Sequence, residues 1–232
     1  MAENNERLKY TTYFAHPMEH AKGAEIQDQL NIIHNELEFS CLGIYDPDLQ
    51  EPEKVGRTPK KQGDYIKGLK QGGHWDIFYS ELWKIWLGDI EENSDVLQVL
   101  SHLRMLKHVN GNRRSDFKYW GDFEAVIRSD FIIVYFPNVK TVGTHWEILI
   151  AALFRIPVYC ILPDRPKTEA NSTMIFGVEK LSRGKIFYSS RECCRYIIET
   201  YKLNKKPLEV KLERPIEPPK GEDTNAKENK EI

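Results

Sequence analysis

One acid interrupts an apolar segment near the middle of the chain. Residues 143–154 read GTHWEILIAALF, and Glu147 is the one acidic or basic residue among them apart from a histidine. A buried carboxylate is costly unless it faces a cavity, so Glu147 is the first candidate for chemistry. Thr144 is predicted to be the helix N-cap, which puts Glu147 in the first turn. A Thr144–Glu147 capping box without catalytic function is the alternative interpretation.

The predicted start of this helix lies at the carboxyl end of an apolar strand, where the crevice of an α/β sheet opens. A helix N-terminus stabilises an ionised carboxylate by about 0.3–1 kcal/mol. We therefore expect Glu147 to be ionised. Such a group suits a nucleophile or the stabilisation of an oxocarbenium ion.

A second acid, Asp122, lies on a predicted helix at 118–128, just before the apolar run FIIVYF at 131–136. This helix would bring Asp122 to the same crevice. Two carboxylates in different environments can divide the roles of acid and nucleophile. The alternative for Asp122 is an acid that only favours its own helix N-terminus.

The string HPMEH at 16–20 has the spacing of an inverted zinc-protease motif. That motif needs an uninterrupted helical turn and a third ligand, whereas Pro17 lies at a predicted strand-to-helix junction. We therefore expect no metal. Tyr13, His16 and Met18 are expected instead to border the crevice beyond the first strand.

The elements that must position these groups alternate between strands and helices. Strands are predicted at 9–15, 42–45, 131–136, 158–162 and 185–189, and helices at 18–39, 118–128, 144–154 and 191–201. This alternation predicts an α/β fold with a Rossmann-like (flavodoxin-like) parallel sheet of about five strands and flanking helices.

The segment 46–115 is too long for a simple connection between the second and third strands. Residues 46–64 are predicted to be a loop, 68–73 a flexible point, and 74–90 and 96–106 helices. The insertion would serve as a lid, an oligomer contact or a helical subdomain.

Composition limits the possible classes of protein. The chain has 232 residues, 41% of them hydrophobic, which fits one domain at 1–204 and a charged, Pro-containing tail at 205–232 that is expected to be disordered or to lie on the surface. The net charge of −2 argues against a nucleic-acid partner. The longest apolar run, 148–154, is too short to span a bilayer.

The remaining motifs concern compartment and cofactor. The N-terminus has no hydrophobic signal-peptide core, and the four cysteines lack metal spacing, so we expect a reduced, cytoplasmic protein. No GxGxxG follows the first strand, and GxxxxGK followed by Ser or Thr does not occur. Dinucleotide or nucleoside-triphosphate binding of those types is therefore not predicted.

Four short segments carry a resemblance when they are taken in order. They are YFAHP at 13–17, the Asp122 helix before a strand that follows Ser129-Asp130, GTHWEI at 143–148 and NSTMI at 171–175. The set resembles the nucleoside 2-deoxyribosyltransferase family, with its Tyr-Leu-Ala-x-Pro, Gly-Thr/Ser-x-aromatic-Glu-Ile-Gly and Asn-x-Met-Ile segments. It covers about 9–45 and 118–200, and excludes the insertion and the tail.

The resemblance implies a reaction and three catalytic roles. Glu147 would attack the anomeric carbon of a 2′-deoxynucleoside or its 5′-monophosphate, Asp122 would handle the proton of the leaving base, and Tyr13 would hold Glu147 in position. A glycosyl-enzyme ester would then pass the sugar to another base or to water, with overall retention and without a cofactor.

The resemblance also implies contacts to the substrate. The expected substrate-binding residues are His16, Lys140, Gly143, Thr144, His145, Asn171 and Met174. Asn171 would reach the sugar in an adjacent protomer, which implies a homo-oligomer. Lys140 stands near the position where the family has an Asp that holds the sugar hydroxyls. It would bind a 5′-phosphate, or it is a solvated loop lysine.

Two other functions remain open from the sequence. One is an NAD or nucleotide glycohydrolase of similar architecture that also uses Glu147. The other is a nucleotide-binding sensor without catalysis.

Overall fold

The computed structural model describes residues 9–17, 24–39, 41–47, 59–110, 121–137, 143–163 and 167–203. The strands are β1 (Tyr10–Ala15), β2 (Leu42–Tyr45), β3 (Phe131–Tyr135), β4 (Val158–Ile161) and β5 (Lys185–Phe187). The helices are α1 (Ala24–Glu36), α2 (Pro59–Gln71), α3 (Trp75–Leu87), α4 (Val96–Asn110), α5 (Asp122–Arg128), α6 (Gly143–Leu153), α7 (Ser172–Phe176) and α8 (Ser190–Tyr201). Lys140 and the predicted tail at 205–232 lie outside the described residues.

The five strands form one parallel sheet in the order β2-β1-β3-β4-β5. This confirms the predicted Rossmann-like α/β class. The central strands β3 and β4 are buried along their whole length, as expected for a parallel sheet that is covered on both faces. The strand order reverses between β1 and β3, and ligands in open α/β sheets bind beyond the carboxyl ends of strands at such a point.

The two faces of the sheet have separate hydrophobic cores. Successive side chains of a strand point to opposite faces, so Tyr13 and Phe14 of β1 belong to different cores. Tyr13 packs in the core that includes residues of α4, α5 and α6. Phe14 packs in the core that includes residues of α1 and α8. The Tyr13 face therefore brings together β1, α5 and α6, the elements of the predicted catalytic residues.

The insertion contains one helix that the sequence analysis missed. Residues 59–64 are predicted to be a loop, but α2 begins at Pro59 and continues through Gly68 to Gln71. Proline is favoured at the first position of a helix, where its missing N–H group costs nothing. Proline at that position was therefore the start of a helix and not a sign of a loop.

The helices α3 and α4 of the insertion pack on α5, the helix that begins with Asp122. Gly121, just before α5, lies against the backbone of α3: a Cβ atom there would be 2.5 Å from the backbone nitrogen of Gly88. This close approach requires glycine. The ring of Phe123 also packs edge-on against Trp86 of α3, with 5.1 Å between the ring centroids. The insertion therefore helps to fix the position of α5.

No helix in the described part of the chain combines the length and the hydrophobicity that a membrane crossing requires.

Candidate active site

Glu147 lies deeper in its helix than predicted. Because α6 begins at Gly143, Glu147 is the fifth residue of the helix, and no acidic residue lies in its first turn. The prediction that Thr144 caps the helix and that Glu147 lies in the first turn is therefore wrong. Thr144 is instead a buried residue within the helix. The capping-box interpretation also fails, since its two residues are not at the required positions.

Tyr13 holds one oxygen of the Glu147 carboxylate. The Tyr13 hydroxyl donates a hydrogen bond to Oε1 of Glu147 over 2.6 Å. Tyr13 is fully buried and stacks on Tyr45, with 5.5 Å between ring centroids and 16° between ring planes. The parallel pairing of β1 with β3 explains how residues 134 positions apart meet, because α6 follows β3. The contact is the one that the family resemblance implies.

The second oxygen of the Glu147 carboxylate is shielded from solvent. Oε2 is buried and has no hydrogen-bond partner among the residues that the structure describes. A buried acceptor without a partner is costly and is frequently explained by function. Here one carboxylate oxygen is fixed by Tyr13 and the other remains available to a reacting atom.

Burial and a neighbouring acid set the protonation of Glu147. Burial, together with the negative charge of Asp122, raises the pKa of Glu147 from 4.5 to about 8, although the Tyr13 hydrogen bond and His16 oppose this rise. Asp122 is the first residue of α5 and is buried. The expectation of an ionised Glu147 is therefore wrong for the free protein. Desolvation outweighs the helix dipole, whose effect fades beyond the first turn.

The raised pKa predicts that Glu147 lowers the stability of the fold at neutral pH. The pKa of Glu147 is about 8 in the folded protein, against an ordinary value of 4.5. The protonated side chain therefore contributes its full stability to the fold below pH 4.5, and this stability is lost as the pH rises to 8. We expect Glu147→Gln, which keeps the acceptor for Tyr13, to raise the free energy of unfolding at pH 7 by on the order of 3 kcal/mol. Urea denaturation at pH 5 and pH 7 measures the effect.

The matched control is Glu91→Gln, because the side chain of Glu91 is exposed. It should leave the free energy of unfolding within about 0.5 kcal/mol at both pH values. A Glu147→Gln protein that is no more stable than the wild type at pH 7 would contradict the buried, proton-bound state of Glu147.

A second prediction concerns Tyr13. The hydrogen bond from its hydroxyl lowers the pKa of Glu147, so Tyr13→Phe should raise that pKa further and move the acid limb of any Glu147-dependent activity to higher pH. We expect a loss of about 10- to 100-fold at neutral pH, the usual value of a hydrogen bond to a charged group. A pH profile of kcat/KM measures it. An unchanged acid limb would show that Tyr13 does not control Glu147.

The other predicted site residues differ in their burial and in their contacts. His16 is buried beyond the end of β1, where its ring packs on Phe14, and its charge lowers the pKa of Glu147. Gly143 and Thr144 form the start of α6. His145 is exposed and packs edge-on against Phe136, with 5.0 Å between the ring centroids.

Asn171 and Met174 have structural contacts within their own chain. The side-chain oxygen of Asn171 accepts hydrogen bonds from the backbone N–H groups of Thr173 and Met174, at 2.9 and 3.2 Å. This N-cap explains why α7 forms in a segment where the sequence pattern predicts neither a helix nor a strand. Met174 is buried in the core beneath α6. Asn171 itself is exposed, so its action in an adjacent protomer stays a prediction.

Sequence analysis missed a polar cluster beside this site. Asp46 directly follows β2, and its carboxylate contacts both His16 and His34. The residues Asp46-Pro47 look only like a turn that closes a strand. The available signal was that His16 and Asp46 both follow neighbouring parallel strands and so reach the same edge of the sheet.

Within the described ranges, no cluster of three or more His, Cys, Asp or Glu side chains is arranged to hold a metal ion. These ranges do not include His20 of the HPMEH string.

Comparisons with known proteins find only a distant structural likeness. No family model matches the sequence, and no curated protein matches it. Among solved structures, the chain is similar to the CMP N-glycosidase BcmB from Clostridium botulinum, with 17% sequence identity and a TM-score of 0.27. The match covers 45% of this chain and 94% of that one. A likeness this distant assigns no activity to this chain.

Proposed function

We propose that the protein cleaves the N-glycosidic bond of a 2′-deoxynucleoside or its 5′-monophosphate. The observation that carries the proposal is the Glu147 carboxylate, which is held by Tyr13 through Oε1 and has a buried Oε2 without a partner among the described residues. It lies with Asp122 at the point where the strand order of the sheet reverses. The ordered sequence segments that resemble nucleoside 2-deoxyribosyltransferases support the same reaction.

In the first step, Oε2 of Glu147 attacks the anomeric carbon, and the bond from that carbon to the base nitrogen breaks. The base leaves with the bonding electrons and takes a proton from Asp122, which is ionised in the free protein and first takes up that proton from solvent. The transition state resembles an oxocarbenium ion, and the Glu147 carboxylate stabilises it. A deoxyribosyl ester of Glu147 is the product.

In the second step, a nitrogen of another base or the oxygen of water attacks the same carbon. The ester bond breaks, Glu147 recovers its carboxylate, and Asp122 accepts the proton of the attacking group. Two inversions give overall retention.

The protonation of Glu147 imposes a condition on this reaction. Because burial and the charge of Asp122 raise its pKa to about 8, most Glu147 is protonated at neutral pH in the free protein. Activity should therefore increase as the pH rises toward 8, since the ionised carboxylate is the nucleophile.

The exposed side of α6 supports an oligomer. The sequence predicts a helix buried on nearly all sides, whereas Trp146, Leu149 and Leu153 are 46, 43 and 58% exposed. A row of apolar side chains on the surface is typical of a protein–protein contact. We propose that a second copy covers it and that Asn171 enters the neighbouring site. Sedimentation that gives only the monomer mass at micromolar concentration would contradict this proposal.

The direct experiment is product analysis of the wild-type protein. It is incubated with each 2′-deoxynucleoside, with the 5′-monophosphates and with NAD, in the presence and absence of a second free base. We expect the release of a base from a deoxynucleoside or its monophosphate. A new nucleoside formed with the second base would identify transfer, and its absence would identify hydrolysis.

Two outcomes would replace the proposal. Nicotinamide release from NAD alone would assign an NAD glycohydrolase. No base release from any of these compounds would reject the enzyme and leave a binding function.

A further inference from the structure

One tryptophan of the insertion contacts both helices that carry the candidate acids. Trp86 of α3 packs edge-on against Phe123 of α5 and against Trp146 of α6, with 5.1 and 6.1 Å between the ring centroids. Phe123 directly follows Asp122, and Trp146 directly precedes Glu147. The ring of Trp86 therefore joins the chain neighbours of the two acids.

The two helices differ in what holds them in place. α6 has 11 residues, and its acid has an anchor of its own, because the Tyr13 hydroxyl lies 2.6 Å from Oε1 of Glu147. α5 has only 7 residues. Isolated helices shorter than about 12 residues are marginal in water. The position of α5, and of Asp122 as its first residue, therefore depends on the elements packed around it.

The insertion contacts α5 at both ends. At the N-terminal end, Gly121 lies so close to α3 that a Cβ atom there would be 2.5 Å from the α3 backbone. At the C-terminal end, the guanidinium of Arg104 on α4 donates hydrogen bonds to the carbonyl oxygens of Ile127 and Ser129, both at 2.7 Å. These contacts hold α5 on the insertion, and Trp86 adds a contact that also reaches α6.

The spacing of α5 and α6 matters for the proposed chemistry. The two helices pack against each other, and both contribute to the core on the Tyr13 face of the sheet. Asp122 must reach the leaving base while Glu147 reaches the anomeric carbon. A misplacement of about 1 Å can lower a rate by about 100-fold. A residue that sets this spacing can therefore control the reaction without touching the substrate.

We propose that Trp86 is a positioning residue, which holds α5 against α6 so that Asp122 reaches the leaving base while Glu147 attacks the sugar. This inference rests on the proposed function, and it gives the insertion a part in catalysis. A purely structural role, in which Trp86 only packs the insertion onto the domain, predicts a loss of activity that is equal for all bases.

The variant that tests the inference is Trp86→Leu, which removes the ring and keeps an apolar side chain. We expect kcat/KM to fall about 10- to 100-fold for bases that leave poorly and need the proton from Asp122. For bases that leave readily, the loss should be less than about threefold. The matched control is Trp75→Leu, because the ring of Trp75 packs on Phe78 and Tyr79 of its own helix. It should keep activity within about twofold of the wild type.

A double-mutant cycle shows whether Trp86 acts through Asp122. In an Asp122→Asn protein, adding Trp86→Leu should change kcat/KM by less than about twofold, because the acid that Trp86 positions is already absent. Trp86→Phe, which keeps a ring, should retain more activity than Trp86→Leu. A loss that is as large in the Asp122→Asn protein, or that is equal for all bases, would overturn the inference.

Hydrogen exchange of the backbone amides needs no activity, so it separates this inference from the proposed function. In Trp86→Leu, peptides from 121–128 should exchange at least about 10-fold faster than in the wild type, while β3 and β4 stay protected. Trp86→Phe should show a smaller increase in the same helix, and it carries the test if Trp86→Leu fails to fold. Unchanged exchange of α5 in both variants would overturn the inference. If α5 exchanges faster but the wild type releases no base, the contact stands and the proposed function fails.

Discussion

Replacing Glu147 by Gln is expected to reduce base release by about 10,000-fold or more, the usual loss when a covalent nucleophile is removed. The amide keeps an oxygen for the Tyr13 hydroxyl, which now donates to Oε1 of the carboxylate. It carries no negative charge and cannot form the ester with the sugar. Initial rates of base release from the preferred nucleoside, measured by chromatography, give the ratio of kcat/KM.

Two comparisons make this result interpretable. Glu147→Ala should be as inactive as Glu147→Gln, while Glu91→Gln on the surface should keep activity within about twofold of the wild type. Since Glu147→Gln is also expected to be more stable than the wild type at pH 7, unfolding would not account for the loss. Near-normal activity in either Glu147 variant would remove this residue from the nucleophile role.

Asp122→Asn is expected to have two separate effects. The loss of its acid function should slow base departure by about 100- to 10,000-fold, most strongly for bases that leave poorly. The loss of its charge should lower the pKa of Glu147, because Asp122 is one of the causes of the rise to about 8. The acid limb of the pH profile should therefore move to lower pH, opposite to the shift expected for Tyr13→Phe.

The two effects are measured with a series of nucleosides whose bases differ in leaving ability. Glu124→Gln is the matched control, because Glu124 lies two residues further along α5 and pairs with Arg128 at 2.8 Å. A small loss that is equal for all bases, without a shift of the acid limb, would make Asp122 a structural acid of its helix.

The sheet was predictable from sequence because its strands are short apolar runs between turn residues. Runs such as FIIVYF at 131–136 have no polar face, which is typical of a parallel sheet covered on both sides. The helices that were missed depend on local caps. The start of α2 at Pro59 and of α7 after Asn171 requires knowledge of which residue begins the helix, and proline and asparagine are as frequent in loops.

The identity of the central acid was predictable, but its protonation was not. Glu147 stands out because an acid in an apolar helix needs a reason, and the contact with Tyr13 follows from the pairing of β1 with β3. Its raised pKa depends on how completely the fold excludes water and on the position of Asp122. Both are properties of packing between distant segments. The contact between Asp46 and His34 likewise joins the end of a strand to a helix face.

The most direct test of the central claim is the detection of a sugar ester on Glu147. The protein is mixed with its preferred deoxynucleoside, quenched in acid and examined by intact-mass and peptide mass spectrometry. We predict an increase by the mass of one deoxyribosyl group, on the peptide that contains Glu147, and no increase in Glu147→Gln. Base release without any adduct on that peptide, or an adduct on a different residue, would contradict the account.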